Sequence, residues 1–204
     1  MTGKRPCREK DCFRRGDGRV CREQHAGTKR CCPAESHIRI RPFRNGDEAG
    51  MADLVAVTLR VSNRNDYSPE YIEGIIQGHS PGFFSERAAD SHFYIACDRE
   101  RIIGCGGITG YRGSTSESYL ISVFVRPEYQ GRGIGKRIME ALESDEFFRR
   151  AWRTELGASV TAVGFYQEMG YAFKNGVTAP DESGVVKMEK ITGQEERDNG
   201  RSGS

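Results

Sequence analysis

The chain of 204 residues is long enough for one domain with a proper core and some spare length at its ends. Hydrophobic residues make up 36% and charged residues 29%, which suits a soluble protein with solvated flanks, and no apolar run approaches the roughly 18–20 residues of a membrane span. The net charge is +2, yet residues 1–36 hold ten Lys/Arg against five Asp/Glu, leaving −3 for the remainder, so the overall basicity says little about nucleic acid.

The first 36 residues contain few aliphatic side chains and no helix or strand period. They cannot bury enough surface to offset their ordering entropy, and a disordered leader is expected there. The leader holds Cys7, Cys12, Cys21, Cys31 and Cys32, five of the seven cysteines of the chain. Zinc sites pair their ligands two to four residues apart and then repeat the pair; four, eight, nine and no intervening residues do not make that pattern, and no metal is expected. An apolar signal segment is missing from the first thirty residues, and Glu9, Asp11, Asp17 and Glu23 argue against a transit peptide, so the cytoplasm is the expected compartment.

Order is expected from "HIRIRPF", where Ile38 and Ile40 alternate with basic residues as a first strand. Leu54, Val55, Thr58, Leu59 and Val61 recur at helical spacing behind Asp47, a candidate N-cap, and Ser68-Pro69-Glu70 opens a second helix by cap, first-turn proline and acid. "HFYIACD" and "RIIGCGGITGY" read as a hairpin, in which Gly104, Gly106 and Gly107 signal a bulge or a close backbone approach. "SYLISVFV" is a fourth strand, "GIGKRIMEALES" an amphipathic helix, "RTELG" a fifth strand and "SVTAVGFYQEM" a helix opened by Ser159 and closed by Gly170. Two strands, "YAFKNGV" and "GVVKMEKI", end the fold, and the polar tail is expected to be flexible. The order β-α-α-β-β-β-α-β-α-β-β predicts a mixed α/β domain over 37–192 with one open sheet, between the leader 1–36 and a tail 193–204.

Between the fourth strand and its helix stands "VRPEYQGRGIGKRI". Glycines there let a ligand approach the backbone, and the amides at a helix N-terminus are unpaired and favour an anion. Gln130, Gly131, Arg132, Gly133, Ile134 and Gly135 therefore read as a diphosphate cradle, with Arg132 and Lys136 adding full charge. No Walker string occurs, and the dinucleotide fingerprint fails at Lys136 and, for "GCGGIT", at Thr109.

"QGRGIG" resembles the Q/R-x-x-G-x-G/A acetyl-CoA motif of the GNAT superfamily of N-acetyltransferases, and "ASVTAVGFYQEMGYAF" is similar to its second segment through Ala162, Phe165, Tyr166, Gly170 and Tyr171. The resemblance spans about residues 37–192. It implies an acyl-CoA N-acyltransferase fold: a mixed, mostly antiparallel central sheet flanked by helices, with fourth and fifth strands splayed to admit the pantetheine arm. It also implies that the backbone of Val123, Phe124 and Val125 holds that arm, with Ser159 in contact with the coenzyme, and that the co-substrate is acetyl-CoA.

The reaction implied is direct attack of a primary amine on the thioester through a tetrahedral intermediate, with a small molecule or peptide as acceptor and neither nucleic acid nor membrane as partner. A homodimer stays open. An alkyl amine, with a pKa near 10.4, must lose a proton before it attacks. By the same likeness Tyr166 lies near the sulfur as the acid. Family members often carry a glutamate eleven residues before the motif's glutamine; here that position is Tyr119, and Glu117 on the same strand face is the substitute considered. His79 and His92 have no motif behind them. Asp66, Tyr67 and Glu70, between the first two helices, are the expected acceptor contacts. The missing glutamate keeps a second reading in play, a catalytically silent acyl-CoA sensor on the same fold.

Overall fold

The computed structural model describes residues 37–193, and the expectations for the segment 1–36 and for the tail from residue 194 lie outside the described residues. The elements in chain order are β1 (Ile38–Pro42), α1 (Glu48–Ser62), α2 (Pro69–Gly78), α3 (Pro81–Arg87), β2 (Ser91–Asp98), β3 (Arg101–Gly110), β4 (Glu117–Val125), α4 (Ile134–Glu143), α5 (Glu146–Arg150), β5 (Arg153–Ala158), α6 (Val163–Glu168), β6 (Ala172–Phe173) and β7 (Val186–Ile191). They form one seven-stranded sheet in the order β1-β2-β3-β4-β5-β7-β6. Every neighbouring pair is antiparallel except β4 and β5. This is the mixed, mostly antiparallel sheet expected from the sequence.

Both faces of the sheet are covered, so the strand alternation sends apolar side chains two ways. Phe93, Ile95, Cys97 and Cys105 point to one layer, where they meet Met51, Leu54, Val55 and Leu59 of α1, Ile72 of α2 and Phe84 of α3. Ala96, Ile103, Leu120, Leu156 and Met188 point to the other, against Ile134, Ile138, Met139 and Leu142 of α4, Phe148 of α5 and Tyr166 of α6.

The serine–proline start acts as anticipated at α2: Ser68 Oγ accepts from the Tyr71 amide at 3.2 Å. The same start recurs one helix later, where no helix was expected, and Ser80 Oγ accepts from Phe83 N at 3.2 Å. Asp145 likewise opens the unanticipated α5, accepting from the Phe147 amide at 2.8 Å. Asp47 precedes α1 but does not cap it, because Arg41 takes both of its oxygens at 2.7 and 2.8 Å. That guanidinium holds the carboxyl below its usual range.

The glycines of β3 serve close approach. A Cβ on Gly106 would lie 2.8 Å from Ile138 Cγ2 and 2.9 Å from Leu142 Cδ1, both fully buried residues of α4. Between Cys105 and Gly107 the β3–β4 register shifts, because β4 carries one extra residue opposite Gly106. Ser122 sits at this bulge with φ +49°. Gly106→Ala should therefore overpack the α4 seat and cost about 1–3 kcal/mol. Gly74→Ala, on a stretch of α2 with nothing within 4 Å of the new methyl, should instead stabilise by about 0.4–1 kcal/mol. Urea unfolding of the two variants checks the opposite signs.

Candidate active site

β4 and β5 pair over three rungs only, Glu117↔Arg153, Ser118↔Thr154 and Tyr119↔Glu155. Beyond them the strands part, and the facing edges of Leu120–Val125 and Leu156–Ala158 have no strand partner among the described residues. The opening is a cavity of about 230 Å³ walled by Ser122, Val123 and Phe124 of β4, Leu156 and Gly157 of β5, and Tyr166 of α6. Leu59, Asn63, Tyr67, Ile75 and His79 close it from the α1–α2 layer, and no lining residue carries a formal charge at neutral pH other than by protonation of His79. A larger hollow, about 490 Å³ and lined by Arg149, Arg150 and Trp152, touches Ser116 before β4 begins, at the end of the strand opposite the glycine loop.

Directly past β4 the chain makes its glycine loop. Gly131 and Gly133 have φ of +71° and +75°, a region that side chains rarely enter, and a Cβ on either would meet nothing within 4 Å. None of the six consecutive backbone N–H groups of residues 131–136 finds an acceptor among the described residues, and no side chain caps α4. Arg132 and Lys136 are exposed and have no carboxylate partner among the described residues. Unpaired amides, a helix dipole and two free cations fit a diphosphate. Gly135 has a different use: its Cβ would lie 3.2 Å from the Phe165 ring, so it lets α4 and α6 meet.

Gln130 does not face the cradle. Its Nε2 donates to Val125 O at 2.9 Å and to Ser62 Oγ at 3.0 Å, which ties the loop to the end of α1. The Val125 carbonyl is thereby occupied, and since Arg126 N donates to Ile103 O of β3 at 2.8 Å, alternation turns the Phe124 backbone to β3 as well and leaves the Val125 amide on the open edge. Arg126, which the sequence reading passed over, is only 6% exposed and anchors the loop's base through Ile102 O at 2.9 Å and an ion pair with Asp53. The proline after it was the available signal for a rigid exit from the strand.

Tyr166 is 6% exposed. Its hydroxyl has no protein partner among the described residues, it is not a sealed atom, and the residue lines the cavity. Burial, with Tyr119 nearby, pushes its pKa up and keeps the phenol protonated. Ser159 lines the same cavity, but its hydroxyl pairs with Thr161 Oγ1 at 3.3 Å and caps no helix.

Glu117 needs correction. Its carboxylate lies 2.8 Å from Arg153 at the closed end of the β4–β5 pair, in a cluster with Glu155 and Glu189, and it does not line the cavity. Strand alternation did keep it on Tyr119's face, but two residues in the wrong direction along a splay. Among the expected acceptor residues, Tyr67 lines the cavity. Asp66 is taken up by Asn63 Nδ2 at 2.8 Å and Thr161 Oγ1 at 2.7 Å, and Glu70 is exposed on the first turn of α2. His92 binds Asp145 at 2.9 Å beside α5, a structural pairing away from the cleft.

Residues 89–172 match the family model of the acetyltransferase (GNAT) domain. Over 136 residues the chain is 24% identical to the uncharacterized N-acetyltransferase YafP of Escherichia coli (strain K12), an alignment covering 67% of this chain and 82% of that protein. Among solved structures, the PaiA N-acetyltransferase from Thermoplasma acidophilum in complex with coenzyme A superposes with a TM-score of 0.65 at 21% identity, over 76% of this chain and 99% of that one. The GCN5-related N-acetyltransferase from Rhodopseudomonas palustris does so with a TM-score of 0.61 at 23% identity, over 76% and 95%. These likenesses show that the chain has the fold of those acetyltransferases. Over residues 89–172 the chain is therefore similar to the GNAT acetyltransferases, whose fold it shares. Among the described residues no helix is long and apolar enough to cross a membrane.

His79 gives the cavity a pH signature. Burial lowers its pKa from the ordinary 6.5, so the folded domain favours the neutral ring. The stability this contributes is full above the unfolded value and is lost as pH falls through the folded one. Between pH 7 and 5 the melting temperature of the natural chain should fall more steeply than that of His79→Gln. Equal slopes would mean a ring that protonates freely in the fold.

Proposed function

We propose that the protein transfers an acetyl group from acetyl-CoA to a primary amine by direct attack of the amine on the thioester. The observation that carries this reading is the junction of two unsatisfied backbone surfaces: the acceptorless amides of residues 131–136 and the unpaired edges of β4 and β5. Together they match an anion joined to an extended chain with amides of its own, which is the chemistry of a diphosphate carrying a pantetheine arm. The coenzyme A in the PaiA structure supports the same ligand class.

In this reading the amides of Gly131–Lys136, with Arg132 and Lys136, hold the diphosphate, and the open β4 edge at Val123 and the Val125 amide takes the arm. A β4 amide at the Ser122 bulge faces the thioester oxygen and stabilises the oxyanion. Tyr166, held protonated by its burial, donates to the departing thiolate. Release of free thiol from acetyl-CoA across a broad amine panel tests the reading; a chain that binds acetyl-CoA yet releases thiol with no amine is a sensor rather than an enzyme.

Two substitutions divide the labour. Gly133→Glu places a negative side chain at the cradle and a non-glycine at φ +75°; it should abolish acetyl-CoA binding by calorimetry while costing only about 1–2 kcal/mol of stability. Unchanged affinity in the folded variant would remove the loop from the site. Tyr166→Phe should leave the melting temperature nearly unmoved, since the hydroxyl has no partner among the described residues, and lower single-turnover acetyl transfer about 10²-fold. Normal transfer would make solvent the proton source.

A further inference from the structure

Deprotonation of the acceptor is the chemical step still without a residue, because Tyr119 stands at the glutamate position and Glu117 is paired with Arg153 outside the cavity. The acceptor side of the cavity, formed by Leu59, Tyr67, Ile75, Phe124 and Val185, offers one imidazole, His79. We propose that His79 is the general base for the acceptor, and that the acceptor is a monoamine on a small aromatic or otherwise apolar framework. The assignment rests on the acetyltransferase reading.

The geometry of the ring sets its tautomer. His79 Nδ1 lies 2.8 Å from Ile75 O, which can only accept, so in the neutral ring Nδ1 carries the hydrogen and Nε2 the lone pair. The same carbonyl takes the His79 backbone N–H at 3.1 Å, so ring and backbone are pinned together at the end of α2. Phe83 and Phe84 of α3 and Phe124 of β4 surround the ring, with centroids at 5.1, 6.0 and 5.9 Å. Nε2 has no protein partner among the described residues and is not a sealed atom, and the ring lines the cavity.

No charge competes with the ring. The side chains facing it from α3 and β4 are aromatic, and the other titratable groups of the cavity are Tyr67, pushed up to about 12 by burial, and Tyr166, also held protonated. The neutral imidazole can therefore accept a proton at pH 7. The same apolar surroundings that disfavour its cation also lower the pKa of an entering ammonium, so the ammonium too gives up its proton more readily.

The atoms balance as follows. The ammonium gives one proton to Nε2, its nitrogen bonds to the acetyl carbon, and the carbon–sulfur bond breaks. Tyr166 protonates the sulfur and recovers a proton from the new amide nitrogen through solvent, while His79 releases its own to bulk water. The substrate class follows from the walls. A polyamine would bury a second ammonium with no carboxylate to meet it, since Asp66 is committed to Asn63 and Thr161.

The test measures thiol release from acetyl-CoA by the full chain with 2-phenylethylamine and with spermidine. The natural protein should favour 2-phenylethylamine by about tenfold or more in kcat/KM, because the second charge of spermidine is unpaired. His79→Gln should lower kcat about 10²-fold at unchanged KM for acetyl-CoA, and should erase the acidic limb of the pH profile below 6.5. Added imidazole should restore part of the activity of His79→Ala, which a packing role would not do. Near-normal kcat in the folded Gln variant overturns the base, and preference for spermidine overturns the substrate class. Thiol release with neither amine by a protein that binds acetyl-CoA defeats the acetyltransferase reading and the assignment with it. If both variants are unfolded, the natural protein decides: a profile rising without a break through pH 6.5 overturns His79.

Discussion

Backbone groups inside a protein must find partners, and the parallel pair of β4 and β5 supplies them over only three rungs. Each half of the sheet is secured independently of that short seam. β4 is held by β3 on its other edge, and β5 by six antiparallel partners in β7. The halves can therefore diverge without either losing its ladder. The Ser122 bulge bends β4 at the point of divergence, and β5 ends at Ala158, where the chain turns towards α6. What remains is an extended slot with peptide edges on both sides, suited to a ligand that brings its own amides.

The glycine loop at the mouth of the slot is held in place by its neighbours. Gln130, Arg126 and Thr58 all bond to the backbone around the end of β4, so the loop leaves the strand in one fixed direction. Gly131 and Gly133 then turn the amides outward at the head of α4. Fixed amides cost little further ordering on binding, which is where a loop of this kind gains affinity. Arg132 and Lys136 provide local positive charge on a body whose net charge is opposite, so anion attraction is confined to the loop and weakens with salt.

At the closed end of the slot the electrostatics run the other way. Arg153 serves Glu117, Glu155 and Glu189, and Lys174 reaches Glu155 at 2.6 Å. Glu155 is almost wholly buried, so its two cations chiefly offset the desolvation that its charge entails. The cluster locks the last paired rungs and draws its carboxylates away from catalysis. On the wall formed by the segment after α1, Tyr71 Oη donates to Ser183 O at 2.7 Å and the Tyr67 ring lies against Gly184. The segment between α1 and α2 is thus joined to the β6–β7 connection across the cavity.

The sequence by itself determined the elements with strong local periodicity, the sheet class and the position of the glycine loop. Alternation, helical spacing and the glycine run are properties of a few neighbouring residues, and a phosphate cradle at a helix start is built almost entirely from local backbone. Where side chains had a choice of partner, local signals failed. Asp47 looks like a cap but meets Arg41 from β1. Gln130 looks like a ligand but meets Val125 and Ser62. Glu117 shares a strand face with the position wanted for a base, yet only the register with Arg153 reveals that it lies at the sealed end. His79 showed nothing in sequence because its worth depends on three aromatic rings from two other elements and on a carbonyl one turn back. Local backbone preference is written in adjacent residues, whereas the partner, burial and protonation of a side chain depend on what packing brings to it from distant parts of the chain.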